Sequence, residues 1–263
     1  MTVVIAEIGV DHEGAYSRAL TLAETVFVSG ADILKTQYYK EGLRGPNRIL
    51  PRLPECHMHD LDKLCNRNGV EFLVTAHDRY AIDFILGDMG LGHSGIKLGS
   101  GGWHLLPHIP DKTFLYISTG MHTQAEIAEL ASKLRDRKGR SVIMHCVSEY
   151  PCLPDNAQLQ QINYLQQLIH GIDNLYIGYS DHTKGTHIPL AAIGMGAKVI
   201  EKHVTIDRNV KGKQDTFCSL TTNELWPFVQ QVRAVDAAMK DKDRRITLGE
   251  RETIKWLQER EKG

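Results

Sequence analysis

The chain has almost no excess of either charge: 31 lysines and arginines face 32 aspartates and glutamates among its 263 residues. That balance leaves no electrostatic footprint for nucleic acid or an anionic membrane surface, so neither is expected as a partner. Long apolar runs are missing too. The longest, Ile188 to Ala197, falls far short of the roughly 20 residues that a membrane-spanning helix needs. The opening MTVVIAEIGV lacks the basic region and small-residue cleavage site of a signal peptide. Cysteine is sparse and unpatterned: Cys56, Cys65, Cys146, Cys152 and Cys218 form no C-x-x-C pair, and one is left over in any disulfide scheme. That is the usage of a reducing compartment, and a soluble cytoplasmic protein is expected. No G-x-G-x-x-G follows any apolar run, which weakens the case for a dinucleotide-binding open sheet.

What is present is alternation. Eight apolar runs of strand length, Val3–Ala6, Ile33–Gln37, Phe72–Thr75, Gly95–Leu98, Phe114–Ser118, Val142–Cys146, Leu175–Tyr179 and Val199–His203, are separated by longer segments. Runs such as VVIA and SVIM are continuously apolar, as expected of parallel strands buried on both faces. Ser17–Val28 has helical apolar spacing and stops at Gly30. Thr123 with Glu126, and Thr221 with Glu224, predict capping boxes that open two further helices. Eight βα units in about 250 residues predict a (β/α)8 TIM barrel over residues 1–240, with a doubly wound sheet as the alternative. Residues 241–263 are dense in charge with one apolar stripe, Ile254, Trp256 and Leu257. They predict a helical tail packed on the barrel's flank, with a partner-binding helix as the other reading.

In such a barrel, chemistry sits at the C-terminal ends of the strands. Every strand brings a polar group there: Glu7; Lys35 and Gln37; Thr75; Lys97 and Ser100; Ser118; His145, Ser148 and Tyr150; Ser180, Asp181 and His182; Glu201, Lys202 and His203. Lysines ending apolar strands need an anionic partner. Lys35 and Lys97 with the nearby serines make a cradle for phosphate or carboxylate; ion pairs with Glu7 or Glu201 are the alternative. His182 and His203 follow adjacent strands and read as a pair converging on one divalent ion, with Glu7, Asp181 and Asp215 as acidic help, or else as hydrogen-bonded rim residues. His145 and Cys146 read as buried and inert. By residues alone, the chain is an enzyme that handles an anionic small molecule at a barrel mouth.

The segments IAEIGVDHEG, GADILKTQ, KLGSG, STGM, HCVSEYP, IGYSDHTKG and GAKVIEKH occur in that order at barrel-like intervals. Over residues 3 to about 240 the chain resembles the sialic acid synthase family, the bacterial N-acetylneuraminate, legionaminate and pseudaminate synthases. The resemblance implies a transferase that condenses phosphoenolpyruvate (PEP) with an open-chain N-acetylated amino sugar, giving a nonulosonic acid and phosphate. It implies a divalent metal on His182 and His203, Mn²⁺ first with Mg²⁺ or Co²⁺ as alternatives. PEP would be held at Lys35, Thr75, Lys97, Ser100, Ser118, Ser148 and Ser180, and the sugar at Gln37, Tyr150 and Asp215. Glu7 matches the strand-one glutamate that contacts the sugar and takes part in proton transfer.

Three departures qualify that picture. Gly102 stands where the family has a glutamate that handles the water attacking PEP, and Glu149 or His104 are expected to substitute. The chain ends at Gly263, where family members continue into an antifreeze-like domain that completes the partner's sugar site in a swapped dimer. A homodimer is therefore an expectation, as is a more open site, one closed by another chain, or another aldose. The stretch from Tyr38 to Cys56 is also shorter than usual. Condensation with a different aldehyde, or a member that binds PEP or sugar without turnover, are the alternative functions.

Overall fold

The computed structural model describes residues 1–43, 50–208, 215–240 and 243–260. The eight apolar runs all form strands: β1 (Val3–Gly9), β2 (Ile33–Tyr38), β3 (Glu71–Ala76), β4 (Ile96–Leu98), β5 (Leu115–Ser118), β6 (Ser141–Cys146), β7 (Leu175–Asp181) and β8 (Val199–Thr205). Each is parallel to the next, and β8 returns to β1 with Val3 opposite Val199 and Glu7 opposite His203. The sheet closes on itself, so the fold is a (β/α)8 barrel and the open-sheet alternative is excluded.

The crossovers are α1 (Tyr16–Ser29), α2 (Glu55–Arg67), α3 (Arg79–Asp83), α4 (Gln124–Arg135), α5 (Gln160–Leu168), α6 (His187–Gly194) and α7 (Thr222–Ala238). Helix α1 ends on Gly30 in the left-handed conformation, where a side chain would be strained. Both expected capping boxes are formed, at Thr123–Glu126 and Thr221–Glu224. The fourth crossover departs from the pattern: Ser100–His108 winds as a 3₁₀ helix. Gly101 and Gly102 favour no α-helix, and Pro107 lacks the N–H it would need. A two-residue strand, β9 (Leu220–Thr221), pairs with the end of β8.

Side-chain alternation along each strand divides the core. One set, including Val4, Ala6, Leu34, Phe72 and Val74, packs outward against helix residues such as Ala19, Leu22 and Phe228. The other fills the barrel's lower interior with Ile5, Ile33, Leu73, Tyr116, Val142, Met144 and Val199. The period of two then fixes the next interior layer up each strand: Glu7, Lys35, Thr75, Ser118, Ser180 and Glu201.

The tail forms α8 (Leu248–Arg260), but the expected packing on the barrel's flank is not found. None of its residues is buried, and Ile254, Trp256 and Leu257 are 40%, 55% and 42% exposed. Three apolar side chains on a helix this dense in charge bury too little to hold it against the barrel. Removing residues 243–263 is therefore expected to leave the melting temperature within about 2 °C, checked by thermal unfolding of the shortened chain. A fall well beyond that would show that the tail docks. No described helix is long and apolar enough to cross a membrane.

Candidate functional site

The upper interior layer is a network of four charges in a protein interior. Lys97 Nζ donates to Glu201 Oε2 at 2.7 Å, and Lys35 Nζ lies 3.5 Å from Glu201 Oε1 and is in direct contact with Glu7. Lys35 also donates to Thr75 Oγ1 at 2.8 Å, and Ser180 Oγ donates to Glu201 Oε1 at 3.1 Å. All four charged side chains are buried. Burial alone would raise the Glu201 carboxyl, but the two ammoniums reverse this and hold it well below the usual carboxylate range. Burial depresses Lys97, which has one carboxylate partner and faces Lys35. Lys35 feels the same burial penalty, but Glu201 and Glu7 together hold it above its ordinary value. The ion pairs anticipated as the alternative to an anion cradle are thus formed, and the layer is electrically balanced. Both lysines nevertheless line the cleft above it.

That cleft, about 520 Å³, opens at the C-terminal ends of the strands. Lys35, Gln37, Thr75, Lys97, Ser100, Ser118, Ser148, Tyr150, Ser180, His182, His203 and Asp215 all line it. Glu7 lies just beneath, with Gln37 Nε2 donating to its Oε1 at 3.4 Å. The one irregularity in β1 serves this corner. The β1–β2 register slips between Glu7 and Gly9, and Gly9 has φ +51°. A Cβ there would stand 3.2 Å from Glu7 Oε1, 3.5 Å from Gln37 Nε2 and 3.6 Å from His203 Nδ1. Only glycine tolerates both this conformation and that crowding.

Gly120 plays the same part across the cleft. A Cβ on it would lie 2.4 Å from Ser148 Oγ and 2.8 Å from Ser100 Oγ, so the bare backbone is what lets the two hydroxyls converge. Behind them Trp103 Nε1 donates to Ser118 O at 2.8 Å and its ring stacks on His122 at 3.5 Å, while His122 Nε2 bonds Ser100 O at 2.9 Å. The sequence reading passed over Gly120 and this Trp103–His122 clamp.

The two histidines converge, with ring centroids 5.5 Å apart, and the Tyr150 ring lies 3.9 Å from that of His182, tilted by 33°. His182 Nδ1 lies 2.8 Å from Val147 O, so it carries the proton and leaves Nε2 as the unprotonated nitrogen. That is the arrangement of a metal-binding imidazole. Among the described residues no group of three or more His, Cys, Asp or Glu is placed to hold a metal, so any ion here would need oxygen from substrate and water.

Some expectations are corrected. Asp181 does not help the histidines: in β7 the interior positions are 178, 180 and 182, so Asp181 points outward. It is fully buried there, bonded by Lys202, by Thr183 Oγ1 at 2.9 Å and by Tyr179 OH at 3.0 Å. Lys202 is likewise turned from the cleft. Neither substitute for the missing glutamate reaches the cleft. Glu149 accepts from Asn156 Nδ2 at 2.9 Å and faces a neighbouring groove, and His104 is exposed on the 3₁₀ turn. Gly102 itself lines the cleft with ordinary space around it, a Cβ meeting Ala76 O at 3.9 Å. His145 is buried and satisfied as expected, bonding Ala157 O at 2.8 Å. Cys146 is buried as expected, yet its Sγ lies 3.8 Å from His182 Nδ1 and lines the cleft. The shortened loop after β2 falls partly on residues 44–49, outside the described residues. His77, which bonds Gln37 Oε1 at 3.1 Å on the cleft wall, was missed altogether.

Comparison with known proteins agrees with the barrel fold. The sequence pattern of the NeuB family matches residues 50–244. The N,N'-diacetyllegionaminic acid synthase of Campylobacter jejuni is 32% identical, over 96% of this chain and 82% of that protein. The N-acetylneuraminate-9-phosphate synthase of Mus musculus is 29% identical, over 90% of this chain and 70% of that protein. Among solved structures, an N-acetylneuraminic acid synthetase from Leptospira borgpetersenii, in complex with citrate, superposes with a TM-score of 0.84 at 25% identity, covering 97% of this chain and 90% of that one.

Proposed function

Because the chain belongs to the NeuB family, we propose that it is a metal-dependent transferase that condenses PEP with an open-chain N-acetylated amino sugar, giving a nonulosonic acid and phosphate. The observation that carries this reading is the vertical order of the barrel interior: apolar floor, balanced Lys–Glu layer, hydroxyl ring, then the two imidazoles at the mouth of one cleft.

A balanced layer offers little net attraction to a substrate with three negative charges. The hydroxyls of Thr75, Ser100, Ser118, Ser148 and Ser180 orient phosphate and carboxylate, and the two ammoniums donate without surplus charge. The extra positive charge this substrate needs points to an ion on His182 and His203, which line the cleft side by side, His182 with its tautomer fixed by Val147 O. Such an ion, Mn²⁺ by the family resemblance, supplies Lewis-acid polarisation of the aldehyde. The chain's own residues do the rest. Gln37, Tyr150 and Asp215 line the cleft and orient the sugar, and Glu7, anchored by Lys35 just beneath them, takes part in proton transfer to the aldehyde oxygen. Holding both substrates in this cleft makes the PEP methylene and aldehyde carbon neighbours, which turns a bimolecular step into an effectively unimolecular one.

Acceptor-dependent phosphate release from PEP in the presence of Mn²⁺, across a panel of N-acetylated mannose-type and dideoxy amino sugars, tests the reading. Release that ignores the sugar, or no release with any of them, would defeat it. Gly120→Ala is expected to raise the KM for PEP roughly tenfold, about the worth of one hydrogen bond, by driving the Ser100 and Ser148 hydroxyls apart. Steady-state kinetics against PEP check this, and an unchanged KM would remove those serines from the phosphate site.

A further inference from the structure

Resting on the condensation reading, we propose that His77 is the proton acceptor for the water which that condensation consumes. Turning an enol phosphate and an aldehyde into a keto acid and inorganic phosphate requires one water. Once the PEP methylene has formed its bond to the aldehyde carbon, and the aldehyde oxygen has taken a proton, the positive charge rests on C2 of PEP. Water adds there, forming a C–O bond and losing one proton. The bond from C2 to the phosphate-bridging oxygen then breaks, and the water oxygen gives up its second proton, replacing the one taken by the aldehyde oxygen, to become the keto oxygen, while phosphate leaves and takes up the first proton from the base. The site must supply that base.

Most other titratable groups of the cleft are engaged elsewhere, Cys146 among them, with its Sγ 3.8 Å from His182 Nδ1. Lys35, Lys97, Glu201 and Glu7 hold one another in the buried layer. His182 and His203 form the imidazole pair at the mouth. Burial pushes the Tyr150 phenol well above its ordinary value, and Asp215 lies beside that phenol on the β8–β9 connection. His77 is bonded instead to a neutral amide, and desolvation at the cleft wall with the nearby Lys35 ammonium lowers it to about 4, so at neutral pH it is uncharged and able to accept. It follows the last residue of β3, and the backbone oxygen of its neighbour Ala76 is 3.9 Å from where a Gly102 Cβ would be. His77 and Gly102 both line the cleft, carried on neighbouring stretches of backbone.

Its tautomer is fixed by a chain of contacts. Gln37 donates its amide nitrogen to Glu7, which turns Gln37 Oε1 toward His77 Nε2, 3.1 Å away. Nε2 must then carry the proton, and Nδ1 is left as the acceptor. The ring meets Tyr39 edge-on at 5.8 Å. His77 is exposed to solvent, so a proton it gains can also pass to bulk water.

Two variants test this in the full chain. His77→Ala removes the base and the Gln37 contact, whereas His77→Gln keeps a donor for Gln37 Oε1 and removes only the base. Both are expected to fold with the parent's melting temperature, because the position is exposed. Both should lower kcat by about 10²- to 10³-fold with the KM for PEP little changed, and added imidazole should restore part of the His77→Ala activity. His77→Gln turning over like the parent would reduce His77 to a positioning residue and overturn the proposal. His77→Ala turning over undiminished would overturn it outright. A parent protein that releases no phosphate with any amino sugar would overturn the condensation reading and this inference together.

Discussion

Glu201→Ala is expected to lower the unfolding free energy by about 3–5 kcal/mol, the usual consequence of stranding a buried charge. Two ammoniums depend on this one carboxylate. Lys97, only 2% exposed, has no other carboxylate partner among the described residues, and Lys35 would keep only Glu7. For a barrel of this size the melting temperature should fall by roughly 10 °C, measured by thermal or urea unfolding. Replacing Lys97 by Met together with Glu201 by Leu should recover much of the loss, since it removes charge and countercharge at once while Lys35 retains Glu7. If Glu201→Ala unfolds like the parent, the layer is not the buried network described above. Acid should report the same group. The folded carboxyl lies below its unfolded value, so its stabilisation is complete above the ordinary glutamate pKa near 4.3. It is then lost as pH falls through the lower folded value.

His182→Ala is expected to abolish turnover within measurement, a loss of about 10³-fold or more, and to remove tight divalent-ion binding. A metal's stabilisation of developing charge is worth several kcal/mol, and each 1.36 kcal/mol is about tenfold in rate. The geometry makes the loss specific. Nδ1 is occupied by Val147 O, so the side chain's only other polar atom is the Nε2 nitrogen assigned to the ion. Calorimetric Mn²⁺ titration alongside kinetics separates the two effects. Full turnover without metal binding would leave the condensation intact and discard the ion. Metal binding undiminished in the variant would move the ion elsewhere.

Much of this was legible in the residues, and what was not has identifiable causes. Apolar runs located all eight strands, because the lower part of each strand is buried on both faces. The polar residue ending each run located the cleft, because the barrel gathers strand ends at one rim. Asp181 and Lys202 were misread by treating every strand-end polar group as inward. The alternation through Gly178, Ser180 and His182 already assigned Asp181 to the other side. The same rule exposes His77, two residues past Thr75 and four past the interior Leu73. Glu149 and His104 lie on connections, where no period governs direction, so spacing gave no guide to either. Whether the α8 stripe packs on anything depends on how much area it buries, which a pattern of three apolar residues does not contain.

The central claim is that one new carbon–carbon bond forms between PEP and an amino sugar. It is tested most directly by supplying PEP labelled with ¹³C at its methylene carbon, with Mn²⁺ and the best acceptor of the panel, and following the label by NMR. The account predicts that the label moves into a saturated CH₂ bonded to the former aldehyde carbon, one equivalent for each phosphate released. Label found only in pyruvate or unreacted PEP, with the sugar unchanged, would contradict it.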